Sequence, residues 1–255
     1  MLRLQDIQIE RGGRQILGLK SLQIATDRFT VILGHNGSGK STLMSLMARQ
    51  LVPERGQLTL AGQPLAEFSQ RRFAQKIAYL PQQLPNAAGL TVRELVRLGR
   101  FPWRGLLGRW RDQDQQAVQA AMAHTHIEPF ADHLVDTLSG GERQRAWIAM
   151  LLAQEAQLIL LDEPTSALDL AHQYEVIGLL RRINQNTGRG MVAILHDINL
   201  SCRFADDILA LKKGQLFFQG PPQELLKAEL LSELYDIDIQ LIEQPGHSQP
   251  VAVVA

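Results

Sequence analysis

One stretch constrains this chain more than any other: GHNGSGKST, Gly34 to Thr42, which follows the apolar run TVIL and precedes LMSLMARQ. It fits the pattern G-x-x-x-x-G-K-S in the strand, loop and helix setting that gives the pattern its meaning. Glycines let successive backbone N–H groups curl around phosphate oxygens, and the N-terminus of the following helix adds partial positive charge. Gly34, His35, Asn36, Gly37, Ser38, Gly39, Lys40, Ser41 and Thr42 are therefore expected to cradle the phosphates of a nucleotide. Lys40 would reach the β- and γ-phosphates, and Ser41 offers a hard hydroxyl ligand for Mg²⁺.

A loop of this kind needs acidic partners, and LILLDEP, Leu158 to Pro164, has the form to provide them. A buried apolar strand delivers Asp162 and Glu163 at its carboxyl end, where ligands collect in open α/β sheets. Asp162 would hold Mg²⁺, and Glu163 would accept a proton from, or orient, the water that attacks the γ-phosphate. MVAILHDI repeats the design, because strand Met191 to Leu195 ends in His196, a side chain able to hydrogen-bond the γ-phosphate or that water. A second glycine pair lies in LSGGERQR, Leu138 to Arg145. Ser139 with Glu142 three residues on is a capping box before an apolar helix. Gly140 and Gly141 also permit close backbone approach to an anion at the mouth of that helix, and the two readings are compatible.

Composition excludes several classes. Lys plus Arg and Asp plus Glu both total 26, so no global basic field argues for nucleic acid. The single cysteine, Cys202, cannot form an internal disulfide, which fits a reducing compartment. The longest apolar run, AWIAMLLA, falls far short of the roughly 18 to 20 residues that cross a hydrocarbon core, so membrane association would go through a partner. His124 and His126, two residues apart, face different sides of a helix and with His133 make no metal box.

Apolar runs ending in polar turns at Thr30–Leu33, Ile77–Leu80, Leu158–Leu161 and Met191–Leu195 predict a largely parallel sheet with helices on its faces. Leu2–Ile9 and Gln57–Ala61 alternate and predict a smaller antiparallel layer. Between Gln83 and Gln154 the pattern is helical, at Thr91–Leu98, Asp112–His124 and Glu142–Ala153. LALKKGQLFFQG predicts a hairpin around Gly214, and PPQELLKAELLSEL a proline-started helix. The organisation expected is a single unit over 1–243, with a helical subdomain at about 83–155 inserted in the core and a loose tail over 244–255.

The ordered set of Gly34–Thr42, Gln82 in YLPQQ, LSGGERQR, LILLDEP, SALD at Ser166–Asp169, and His196 resembles the motifs of ATP-binding-cassette ATPases, over about Leu2 to Tyr235. The resemblance implies an α/β P-loop NTPase fold with a RecA-like core, a small antiparallel β layer and a helical subdomain. It implies an ATPase using Mg²⁺ with ATP, and a head-to-tail dimer in which Ser139, Gly140, Gly141 and Glu142 meet the nucleotide held by the other copy. Gln82 would touch Mg²⁺ or the attacking water, and Asp169 would cross the dimer interface. An aromatic residue that stacks on adenine is expected before the phosphate loop. QIERGGRQIL has none, and Arg11 is assigned that place.

A single cassette without spans implies separate permease subunits. The stretches AYLPQQLPNAAGLTVRELVRLGRFPWRGLLGRW and LVDTLSGGERQRAWIAMLLAQEAQLILLDEPTSALDLAHQ are similar to the ATPases of ferric-siderophore importers, particularly the ferric-hydroxamate branch, with haem and cobalamin importers as the alternative. That resemblance implies a peripheral protein at the cytoplasmic face of the bacterial inner membrane, served indirectly by a periplasmic or lipid-anchored siderophore-binding protein. Phe101, Trp103 and Trp110 would either dock a permease helix or anchor the helical insert. Cassette ATPases acting on DNA or ribosomes carry long coiled-coil insertions, paired cassettes or a strongly basic region, and this sequence has none of them.

Overall fold

The computed structural model describes residues 1–105, 108–166, 168–243 and 249–255. Its strands are β1 (Leu2–Arg11), β2 (Arg14–Ile24), β3 (Phe29–Leu33), β4 (Arg55–Leu60), β5 (Gln63–Pro64), β6 (Ile77–Leu80), β7 (Leu158–Leu161), β8 (Gly190–Ile194), β9 (Asp207–Lys212), β10 (Gln215–Gly220), β11 (Ile239–Ile242) and β12 (Val251–Val254). Its α-helices are α1 (Lys40–Met47), α2 (Gln70–Ala74), α3 (Val92–Leu98), α4 (Phe101–Arg104), α5 (Asp112–His124), α6 (Gly140–Ala153), α7 (Leu170–Thr187), α8 (Ile198–Phe204), α9 (Pro222–Leu225) and α10 (Ala228–Tyr235). The chain divides into two compact units, Met1–Ala66 with Gly190–Ala255, and Glu67–Arg189. The helical segment expected at 83–155 lies inside the second, which also contains β6, β7 and α7.

In the first unit an antiparallel layer has the order β2-β1-β4-β5. Leu2 and Leu4 of β1 point to the core, and so do Ile7 and Ile9. The parity changes at Asp6, whose φ of 50° falls where the pairing with β4 shifts register between Gln5 and Gln8. One extra residue at that bulge returns the next two isoleucines to the buried face. The other layer is built on β3, every residue of which is buried. It pairs in parallel with β8 on one side and β9 on the other, and β10 adds antiparallel to β9. A strand covered on both faces has no reason to alternate, which is why FTVIL is apolar throughout. Fully burying an Ile or Leu side chain contributes about 1.5–3 kcal/mol, so these short strands are held chiefly by what covers them.

The second unit holds the parallel pair β6 and β7, in register from Ile77 opposite Leu158 to Leu80 opposite Leu161. Helices α3, α5 and α6 pack on one another, and among the described residues from 83 to 154 there is no strand, only an isolated bridge between Thr91 and Leu134. A buried ion pair fastens this bundle. Arg100 donates to Asp114 Oδ1 at 2.9 Å, to Ala153 O at 2.8 Å and to Glu155 Oε2 at 2.6 Å, gripping the C-terminal end of α6. The aromatic segment serves the same fastening: Trp103 Nε1 donates to Gln154 O at 2.7 Å, and Arg97 and Arg104 lie over the Trp110 ring. Phe101 remains exposed, and Leu106 and Leu107 of the same segment lie outside the described residues.

Two expectations need correction. The tail is not loose over its described residues 249–255: β12 pairs antiparallel with β11, and Asn199 clamps Ala252 by accepting from its N–H at 2.8 Å and donating to its carbonyl at 3.0 Å. These bonds satisfy backbone groups that an unpaired strand would leave to solvent. The expected helix in PPQELLKAELLSEL is two helices, α9 and α10, broken at Leu226 and Lys227. Leu225 and its neighbour Leu226 are buried, Leu231 and Leu234 are buried too, and no single straight helical stripe turns all four to one core.

Candidate functional site

The phosphate loop leaves the end of β3. Gly34 has φ 140°, and a Cβ there would lie 2.2 Å from Leu211 O and 2.7 Å from Ser38 Oγ, so only glycine fits. The loop is braced from behind by the β9–β10 turn, where Gly214 donates to Ser38 O at 3.1 Å and accepts from Gly18 N at 2.7 Å. Lys40, the first residue of α1, is 5% exposed and turns back on the loop, its Nζ donating to Gly34 O and His35 O at 2.7 Å each. Ser41 stands exposed one residue further on. Ser38 Oγ is buried with no hydrogen-bond partner, an orphan that an anion's oxygen would satisfy. Beside this loop β8 runs parallel to β3, and Leu195 donates to Ile32 O at 3.3 Å. Gly34 and His196 therefore leave the same edge of the sheet, and His196 is exposed. Arg11 is exposed at the end of β1, opposite Arg14 across the Gly12–Gly13 turn.

In the second unit the parallel pairing of β6 and β7 brings their carboxyl ends together, and Asp162 N donates to Leu80 O at 2.9 Å. Gln82 and Glu163 follow those ends and meet, Gln82 Nε2 donating to Glu163 Oε2 at 2.7 Å. Glu163 sits at φ 50°, a conformation uncommon for a side chain of its kind and typical of residues that a surrounding structure holds in place. Asp162 is 8% exposed, and Tyr79 directs its hydroxyl to Oδ2 at 3.4 Å. Burial first, and then the Asp162 charge, push the Tyr79 phenol up to about 12.

Ser139 caps α6. Glu142 Oε2 accepts from Ser139 N at 2.8 Å and from Ser139 Oγ at 2.7 Å, while Ser139 Oγ accepts from Glu142 N at 3.4 Å. The Ser139 bonds hold the Glu142 carboxyl below its ordinary range. Behind the glycines, a Cβ on Gly141 would lie 3.0 Å from the His172 ring. That ring is fixed by Asp169, the cap of α7, whose Oδ1 lies 2.7 Å from His172 Nδ1 and accepts from its N–H at 2.9 Å. These bonds depress the Asp169 carboxyl. Gln82, Gly140, Gln144, Glu163, Ser166 and Leu168 line one cavity of about 390 Å³. The acid-ended strand and the Ser-Gly-Gly helix, some twenty residues apart in sequence, thus open on one space.

A family model described as ABC transporter matches residues 18–166. The chain belongs to the ABC transporter family. It is an ATPase of that family, and its fold is the ABC ATPase cassette. The ferric enterobactin transport ATP-binding protein FepC of Escherichia coli (strain K12) is 40% identical over 252 residues, 99% of this chain and 93% of that protein. The iron(3+)-hydroxamate import ATP-binding protein FhuC of Bacillus subtilis (strain 168) is 38% identical over 252 residues, 99% of this chain and 94% of that protein. Among solved structures, a metal-chelate type ABC transporter in an inward-facing conformation superposes with a TM-score of 0.84 at 27% identity, covering 100% of this chain and 97% of that one. The bacterial cassette MJ0796, solved as a dimer, superposes with a TM-score of 0.74 at 28% identity, covering 87% of this chain and 99% of that one. Cassettes of this family dimerise and work with membrane permease subunits. Among the described residues no helix is long and apolar enough to cross a membrane.

Sequence reasoning missed the brace behind the loop. Gly214 was legible only as a hairpin turn, and nothing near Tyr235 marks it as a neighbour of His35. The family motifs are local words, whereas these contacts depend on the fold.

Proposed function

We propose that this chain energises import of an iron(III)-siderophore, a ferric hydroxamate by its sequence resemblance, through a separate membrane permease. It would do so from the cytoplasmic face of the inner membrane as a head-to-tail dimer with ATP in two shared sites. The observation that carries this reading is similarity to siderophore-import ATPases over 99% of the chain. Each phosphate loop, Gly34 to Thr42, binds one ATP, and Lys40 exchanges its two carbonyl partners for phosphate oxygens. Arg11 stacks on adenine. Ser139, Gly140 and Gly141 of the other copy close the site, and Ser139 Oγ turns from Glu142 to the phosphate. Asp169 crosses the interface.

Ser41, Gln82 and Asp162 are the all-oxygen donor set that Mg²⁺ favours, and they would hold it. The metal, when bound, offsets negative charge on the phosphates. Glu163 accepts the proton of the attacking water, His196 holds that water or the γ-phosphate, and Gln82, bonded to Glu163 in this structure, passes the state of the site toward the permease. The iron chelate never meets this chain.

The test is ATP turnover of the chain assembled with its permease. Turnover is expected to rise when a binding protein loaded with ferric hydroxamate docks. Stimulation by haem or cobalamin carriers alone would move the reading to those importers, and failure to assemble with any multi-span protein would end the transport reading.

A further inference from the structure

The phosphate loop has a wall that none of the family's motifs supplies. Helix α10, near the other end of the chain, ends in Tyr235, and the Tyr235 ring meets the His35 ring edge to face, centroids 5.2 Å apart at 65°. The phenol oxygen lies by the Gly34 backbone amide, short of hydrogen-bond geometry, and neither it nor His35 Nε2 has a hydrogen-bond partner. Both atoms are buried, so the contact is one of packing. The end of α10 is itself tied down. Lys212, the last residue of β9, donates to Glu233 O and to Asp236 Oδ1, the latter at 2.8 Å. Leu231 and Leu234 are fully buried. The neighbour of Lys212, Leu211, is the residue whose carbonyl backs Gly34.

His35 is the residue such a wall can act on. Its carbonyl accepts from Lys40 Nζ at 2.7 Å and from Ser38 N at 3.1 Å, so the backbone at His35 holds both the loop's cation and its turn. We infer that Tyr235 is a positioning residue for the phosphate loop, acting through the His35 ring to fix the loop's turn and its backbone amides in the geometry that binds ATP. Helix α10 thereby belongs to the nucleotide site. The inference rests on the reading of Gly34 to Thr42 as the ATP cradle.

The experiment is a double-mutant cycle on the full chain, read as the dissociation constant of MgATP and, separately, as thermal stability. Tyr235→Ala is expected to weaken ATP binding by about 2- to 12-fold, the span that an aromatic pair's contribution covers. His35→Ala should do the same, and the double variant should be no weaker than either, because each removes the same contact. Tyr235→Phe keeps the ring and should bind within about 2-fold of the original chain. Tyr235→Leu keeps the volume without the ring and replaces Tyr235→Ala in the cycle if that variant does not fold. A variant that loses stability but binds ATP normally, or losses that add in the double variant, would overturn the inference. If the unmodified chain binds no ATP, it is the cradle reading that fails.

Discussion

Removing either member of the buried pair Arg100–Asp114 should loosen the helical unit by unequal amounts. Each side chain is 5% exposed, and breaking a buried pair from one side costs about 3–5 kcal/mol because a charge is stranded out of water. After Asp114→Ala the guanidinium keeps Ala153 O at 2.8 Å and Glu155 Oε2 at 2.6 Å, so the loss should sit near the low end, about 3 kcal/mol. After Arg100→Ala the Asp114 carboxylate keeps the Arg111 N–H, which donates to its Oδ2 at 3.1 Å. Ala153 O and Glu155 Oε2 also lose the Arg100 N–H, leaving Glu155 with Arg189 at 3.9 Å, and Trp103 loses the cation 5.5 Å from its ring centre. That loss should approach about 5 kcal/mol. Arg100→Met with Asp114→Leu removes both charges and should recover most of the stability.

The assay is urea unfolding followed by tryptophan fluorescence. All three tryptophans, Trp103, Trp110 and Trp147, lie in Glu67–Arg189, so the signal reports that unit. With slopes of about 1–3 kcal/mol per molar urea, a loss of about 3 kcal/mol moves the midpoint down by about 1–3 M. A midpoint shift below about 0.3 M for Asp114→Ala, or a double variant as weak as Arg100→Ala, would mean that the pair's charges do not set the stability of this unit.

The same carboxyl sets an acid limit. Burial pushes Asp114 up most, but the bonds from Arg100 and Arg111 and the charges of Arg100 and Arg104 together outweigh it and hold the group below its ordinary value of 3.8. A depressed carboxyl stabilises the fold above the unfolded value, and that stability fades as pH falls through the folded one. The tryptophan-monitored midpoint should therefore drop below about pH 4, and Asp114→Asn should flatten the drop. Arg11→Ala should weaken ATP binding by about 2- to 30-fold if the guanidinium stacks on adenine; an unchanged dissociation constant removes Arg11 from the site. Glu163→Gln should form a dimer that persists with ATP, measured by light scattering, and adding Ser139→Arg should return it to monomer while leaving ATP binding by the single chain intact. A dimer that survives Ser139→Arg ends the shared-site reading.

Much of this was legible because its causes are local. The phosphate loop, the acid pair after β7 and the cap at Ser139 are each written in consecutive residues, and β6 and β7 match the apolar runs that predict them residue for residue. What escaped has non-local causes. β2 was unread because Gly18 interrupts RQILGLKSLQI and its buried positions change parity, Leu17 and Leu19 giving way to Leu22 and Ile24. β12 is a strand because Asn199 and β11 hold it, and four residues of VAVV carry too little pattern to say so. The wall at Tyr235 follows from β9 and α10 returning to β3, which no spacing encodes.

ATP hydrolysis by this chain should drive iron-chelate import, measured as uptake of ⁵⁵Fe-labelled ferric hydroxamate in cells lacking the chromosomal copy. The chain supplied on a plasmid should restore accumulation, and Glu163→Gln, expressed to the same level, should not. Accumulation that is independent of the chain, or undiminished with Glu163→Gln, would mean that its ATP hydrolysis does not drive this import.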